Sequence, residues 1–187
     1  QISGAETGQI ELIEDRTQVE RNTLLLNRGD GTYAEIARLA GIEATGWSWG
    51  AAFLDVDLDG FEDILVSNGY SFDTQDADAE RYVQSLGPQP QNRVHLKLLN
   101  YPRHELTNMS FRNNGDLTFQ NTSSEWGFDF KGISQGMALA DLDNDGDLDV
   151  VTNDLNAGLG IYRIVPSAPR IQVSLRGTGA NSHGIGA

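Results

Sequence analysis

"DVDLDGFEDILVSNG", residues 55–69, and "DLDNDGDLDVVTND", residues 141–154, carry the reading of the whole chain. Both open on the same nine-residue pattern, DxDxDGxxD. Asp55, Asp57, Asp59, Gly60 and Asp63 fill it in the first copy, and Asp141, Asp143, Asp145, Gly146 and Asp149 in the second. A single shift of 86 residues superposes them, and the same shift holds over a longer stretch: residues 22–67 laid on 108–153 give 15 identities in 46 positions without a gap. The matched residues are mostly Gly, Asp, Asn, Ser and Thr, the types that build turns and begin strands.

A period of 86 residues is too long for one supersecondary unit. The stretch 70–107 has no counterpart after the second copy, however, and without it the period becomes 48 residues. That lies in the roughly 40–50 residue range of four-stranded propeller blades. Each unit reads as short strands: "NTLLLN" and "SFRNN" lead into the turns "RGDGT" and "NGDLT", and "YAEIARLAG" and "FQNTSSEWG" continue from them. "GAAFLDVD" and "GMALADLD" then run into the Asp loops, which "DILVSN" and "DVVTND" leave as β-branched strands, so each loop is a hairpin connection. The expected fold class is all-β, with part of a propeller in residues 22–168 and a loop insert at 70–107. In that insert "DADAERYVQSLG" predicts one helix, with Asp at its start and Gly-Pro at its end.

The loops point to a cation. Carboxylates 4–6 Å apart repel by on the order of 3 kcal/mol per pair at an effective dielectric near 20. Calcium relieves this, because it takes six to eight oxygens in flexible geometry. The expected ligands are Asp55, Asp57, Asp59, the Phe61 carbonyl and Asp63 in one loop. Asp141, Asp143, Asp145, the Asp147 carbonyl and Asp149 are their equivalents in the other. An EF-hand would place Glu at position 12 and continue into a helix. Here position 12 is Val66 or Thr152, inside a strand, so the loop is shared and the surrounding fold is not. The plainer alternative is a pair of acidic turns that solvate a surface; two copies matching at every ligand position weigh against it.

Composition narrows the partners. The 187 residues are 39% hydrophobic, enough for a core of one medium domain. Asp and Glu outnumber Lys and Arg by 27 to 13, for a net charge of -14 and a pI near 4.4, which argues against a phosphate backbone as partner. With no cysteine, neither disulfides nor thiolate metal sites can form. No apolar run is long enough to span a membrane, and the first twenty residues lack the basic and apolar regions of a signal peptide. The first residue is Gln rather than Met, as expected of a processed or partial product.

With these motifs in place, "GWSWGAAFLDVDLDGFEDILVSNGY" and "SQGMALADLDNDGDLDVVTNDLN" resemble the FG-GAP or VCBS-type repeats of integrin-like β-propellers, especially the cartilage-acidic-protein-like group. "RIQVSLRGTGANSHGIGA", residues 170–187, resembles the opening of the ASPIC/UnbV domain that follows the last blade in that group. The resemblance implies a seven-bladed propeller with calcium in the hairpin between the first two strands of several blades. It also implies a secreted, periplasmic or surface location and no enzymatic activity. On this reading residues 1–21 belong to a preceding blade or linker, 169–187 begin a truncated ASPIC/UnbV-like domain, and about two and a half blades lie between.

The remaining signals are weaker. His95, His104 and His183 share no metal-ligand spacing, and no GxSxG frame positions a nucleophile. Trp47, Trp49 and Trp126 read first as packing between blades, and as a sugar platform only if exposed beside a cleft. Asn108 and Asn121 begin glycosylation sequons. Three roles stay open: a calcium-stabilised scaffold for protein partners, a carbohydrate-binding or polysaccharide-processing propeller, and a fixed subunit of a larger assembly.

Overall fold

The computed structural model describes residues 21–88, 90–165, Val173, 175–177 and 179–182. The expected segment 1–21 and the expected ASPIC/UnbV opening therefore lie largely outside the described residues, as does His183. Within them the regular elements are mostly strands, in antiparallel sheets. A hairpin of β1 (Leu25–Asn27) and β2 (Tyr33–Glu35) comes first. A four-stranded sheet follows in the order β3 (Ser48–Leu54), β4 (Asp63–Asn68), β6 (Met109–Asn113) and β7 (Phe119–Asn121). The last main sheet has three strands, β9 (Ser134–Ala140), β10 (Asp149–Asp154) and β11 (Gly160–Tyr162). A two-stranded ribbon, β5 (Leu106–Thr107) with β8 (Lys131–Gly132), joins the insert's end to the start of the third sheet.

Every position of β4 is buried, which explains its unbroken apolar run. Successive side chains point to opposite faces of a strand. Ile64 and Val66 thus pack with Phe111, Ala37, Ala40 and Ile42 toward the first hairpin. Leu65 points the other way, into a cluster with Leu54, Phe128, Val150 and Ile164 that joins the third sheet. The four-stranded sheet is the middle layer of a stack.

The hairpin turns repeat closely. Asn27 accepts from the Gly29 amide at 2.8 Å and Asn113 from the Gly115 amide at 2.9 Å. Asp30 and Asp116 accept from the amide and hydroxyl of Thr32 and Thr118, and these bonds hold both carboxyls below their usual 3.8. Strand does not continue through "YAEIARLAG" as its alternation predicts. After Glu35 the chain turns into a short helix, α1 (Ala37–Ala40), because the Glu35 carboxylate accepts from the Ala37 amide at 2.8 Å and Gly41, left-handed at φ 77°, stops the turn.

A polar chain, half-buried at Asn22, exposed at Ser48 and buried from Asn68 to Asp154, crosses all three layers. Asn22 donates to Thr45 at 2.6 Å, Thr45 bonds Ser48 at 2.7 Å, and Ser48 donates to Asn68 at 2.8 Å. The Asn68 amide donates to Asn108 Oδ1 at 2.9 Å, Asn108 donates to Ser134 at 2.8 Å, and Ser134 donates to Asp154 at 2.5 Å. Asn22 and Asn108, and likewise Ser48 and Ser134, are identities of the 86-residue register, so the repeat conserves a joint between layers. Asn108 is fully buried, and its sequon is closed in the folded chain, whereas Asn121 is exposed.

The insert forms the expected helix, α2 (Ala77–Ser85), capped by Asp76, whose side chain accepts from the amides of Asp78 and Ala79. A 3-10 segment, Gln91–Asn100, follows and is tied back to α2 by the Tyr101 hydroxyl on Glu80. Tyr70 and His104 bridge the two ends through reciprocal amide bonds of 2.9 and 3.2 Å. The 38 extra residues leave and re-enter the sheet at one place, which is how a long insert is tolerated.

Candidate metal centre

Each Asp loop connects the first two strands of its sheet, β3 to β4 and β9 to β10. The first three aspartates converge: Asp55, Asp57 and Asp59 each bring a carboxylate oxygen to within 4.8 Å of the others, and so do Asp141, Asp143 and Asp145. The loop's backbone fixes them. Asp55 accepts from the amides of Asp59 and Gly60, both at 3.0 Å, and Asp141 from those of Asp145 and Gly146, both at 3.2 Å. Asp59 and Asp145 accept from the amides of Phe61 and Asp147 at 2.9 and 3.3 Å. Gly60 and Gly146 make the sharp turn at φ 93° and 95°, a conformation that favours glycine.

The fourth aspartate sits differently. Asp63 is fully buried; its Oδ2 accepts from the Val56 amide at 2.9 Å and its Oδ1 from the Asn113 amide at 2.8 Å. Asp149 repeats the arrangement with Leu142 and Ile164, both at 3.1 Å. Neither joins the converging triad; each staples its loop to the sheet's third strand. Burial pushes the Asp63 carboxyl above its usual range, more than the two amide bonds lower it, and Asp57 and Asp59 add to the rise. Position 7 diverges between copies. Phe61 is exposed and its ring lies over Gly115, whereas Asp147 is buried.

The first loop fits a hard cation on one further observation. Asp57 Oδ1 is buried without a hydrogen-bond partner, while Asp57 Oδ2 is taken by Arg112. A buried carboxylate oxygen left unbonded is costly, and a metal ion would satisfy it. The signal that sequence reasoning missed is the arginine. Arg112 and Arg163 each lie across the second and third aspartates of a loop, and the neighbouring carboxylates raise both guanidinium pKa values further.

One position in the first loop is strained. Leu58 has φ 56°, and its counterpart Asn144 has φ 60°. Asparagine tolerates this left-handed region and leucine does not. Leu58→Asn is therefore expected to stabilise the protein by about 0.5–1 kcal/mol, read as a higher urea midpoint in chelator.

Trp47 and Trp49 stack on Tyr70 outside the loops, whereas Trp126 lies apart from them beside Phe128 and Tyr162. The Tyr70 ring lies 4.8 Å from Trp47 and 5.6 Å from Trp49, with near-parallel planes, and the Trp49 indole donates to the Gly69 carbonyl at 2.5 Å. Trp49 keeps 45% of its surface exposed. Trp47 lines a cleft of about 650 Å³ with His104, Gln75 and Glu43. His104 is paired with Asp73 at 3.3 Å.

A family model described as FG-GAP-like repeat matches residues 12–66 and 103–152, more than half of the chain, which therefore belongs to that family. No curated protein matches it.

Proposed function

We propose that this FG-GAP-repeat chain is a non-enzymatic, calcium-stabilised part of a β-propeller that serves as a scaffold for protein partners outside the cytoplasm. The observation that carries the reading is the recurrence of one aspartate triad in the same hairpin of two successive sheets. Asp55, Asp57 and Asp59, with Asp141, Asp143 and Asp145 in the second copy, supply the first oxygens. The carbonyls of Phe61 and Asp147 and the stapled carboxylates of Asp63 and Asp149, whose oxygens keep a second lone pair, complete each shell. The bound ion cancels repulsion within the loop and so holds two strands in register; its role is structural.

The stacking of three sheets through both faces of β4 supports a radial propeller in which further blades continue the stack. The partner surface is assigned to the insert, where Val94, Leu96, Leu98 and Leu99 are exposed beside an acidic body. The ASPIC/UnbV assignment of residues 169–187 belongs to the same proposal. Calorimetric titration of calcium is expected to give two ions per chain, and none in the Asp57→Ala, Asp143→Ala double variant. Equal heats from the two proteins would refute the site.

The exposed Trp49 ring and the cleft beside Trp47 favour a second reading, carbohydrate binding. Quenching of tryptophan fluorescence by soluble polysaccharide, lost in Trp47→Ala, is the result that would support it; an unchanged spectrum rejects it.

A further inference from the structure

In both sheets the third strand, or the residues directly after it, delivers the same pair of groups to the Asp loop. From β6, Arg112 places Nε 2.7 Å from Asp57 Oδ2 and Nη2 3.3 Å from Asp59 Oδ2. Directly after β11, Arg163 places Nε 2.6 Å from Asp143 Oδ2 and Nη2 3.4 Å from Asp145 Oδ2. The next residue in each case, Asn113 or Ile164, gives its amide to the fourth aspartate of the same loop. The two arginines are 51 residues apart while the loops are 86 apart, so the equivalence exists only once the sheets have formed.

The guanidinium takes only part of what the carboxylates offer. It binds Oδ2 of both aspartates in the first loop. Asp59 Oδ1 is held by the Phe61 amide, and Asp57 Oδ1 stays buried without a hydrogen bond. An arginine that merely replaced a missing cation would satisfy the buried oxygen of Asp57, and this one leaves it unbonded. The planar fork of arginine suits a grip on two carboxylates at once, which the single ammonium of lysine cannot reproduce.

We infer that Arg112 and Arg163 are positioning residues for the loop cations, each gripping the outer oxygens of the second and third aspartates and linking the ion to the third strand. This rests on the calcium reading above. Groups that orient metal ligands from behind typically contribute about ten- to a hundredfold in affinity. A guanidinium acting only as a nearby positive charge would do the opposite and repel the ion, so the sign of the effect separates the two roles.

The test titrates calcium into wild type, Arg112→Lys, Arg163→Lys and Arg112→Gln, read by calorimetry and by terbium luminescence. Lysine keeps the charge and loses the fork. Each lysine variant is expected to weaken one of the two binding steps about tenfold and spare the other, with the chelated unfolding midpoint close to wild type. Arg112→Gln, which removes the charge, is expected to weaken its step as well. Unchanged affinity in the lysine variants, or tighter binding in Arg112→Gln, overturns the positioning role. A wild type silent in both readouts overturns the calcium reading itself, and this inference with it.

Discussion

Asn108→Ala is expected to destabilise the protein by about 2–3 kcal/mol, because the buried Asn68 amide loses its acceptor and the buried Ser134 hydroxyl loses one of its two partners, and a buried group left unpaired costs roughly 1–3 kcal/mol. Asn108 is the joint between the second and third layers. Its Oδ1 accepts from the Asn68 amide at 2.9 Å, and its Nδ2 donates to Ser134 at 2.8 Å. Asn68, Asn108 and Ser134 are all buried, so water cannot take over. Asn108→Asp separates the two bonds: it keeps the acceptor for Asn68 but sets a second carboxylate beside the Ser134–Asp154 pair. It should therefore be no milder than alanine. Urea unfolding checks both, with the midpoint lowered and the slope unchanged. A shift below about 1 kcal/mol, the size of an ordinary exposed bond, would show that the joint carries no stability.

Gly69→Ala should cost at least as much. Gly69 follows β4 with φ 109°, a backbone conformation that L residues rarely adopt. A Cβ there would lie 2.2 Å from the Gly132 carbonyl oxygen and 2.7 Å from the Ile133 Cα. Both are backbone atoms of the neighbouring layer and cannot turn aside as a side chain would. Overpacking of this kind typically costs about 1–3 kcal/mol, and the left-handed backbone adds about 1–2. The Gly69 carbonyl also accepts from Trp49, so a shift of the chain would disturb the aromatic stack. The expected result is a loss of about 2–5 kcal/mol with altered tryptophan emission. Leu155, one register later, makes the bond to Ile133 that Gly69 makes to Trp47, without needing glycine. It serves as the control: Leu155→Ala should be mild.

The loops were legible in sequence because their chemistry is local. Three aspartates two residues apart, followed by a glycine, are set to converge by the loop itself, and the structure brings them together in both copies. The insert helix was legible for the same reason, through the Asp76 cap. Asn22, Ser48 and their partners stood out as identities, but their purpose required the stacked layers that join Ser48 to Asn68 and Asn108 to Ser134. Spacing marks Asp63 and Asp149 as ligands, and it cannot show that each also holds one amide of its own loop and one from a distant segment, Asn113 or Ile164. Arg112 and Arg163 carried no signal, since the insert displaces one from the register of the other. The sequence of Ala37–Ala40 is compatible with strand, because a pattern over four residues does not distinguish a strand from one helical turn whose first amide is held by Glu35.

If two cations hold these hairpins, thermal unfolding of the chain in calcium must differ from unfolding in chelator. Binding to the native state alone adds about 2.7 kcal/mol for each loop at a hundredfold excess over Kd. For a chain of this size that corresponds to a midpoint higher by about 5–10 °C per loop. The account predicts that rise, and predicts its disappearance in the Asp57→Ala, Asp143→Ala double variant. Coincident midpoints in calcium and in chelator would contradict it.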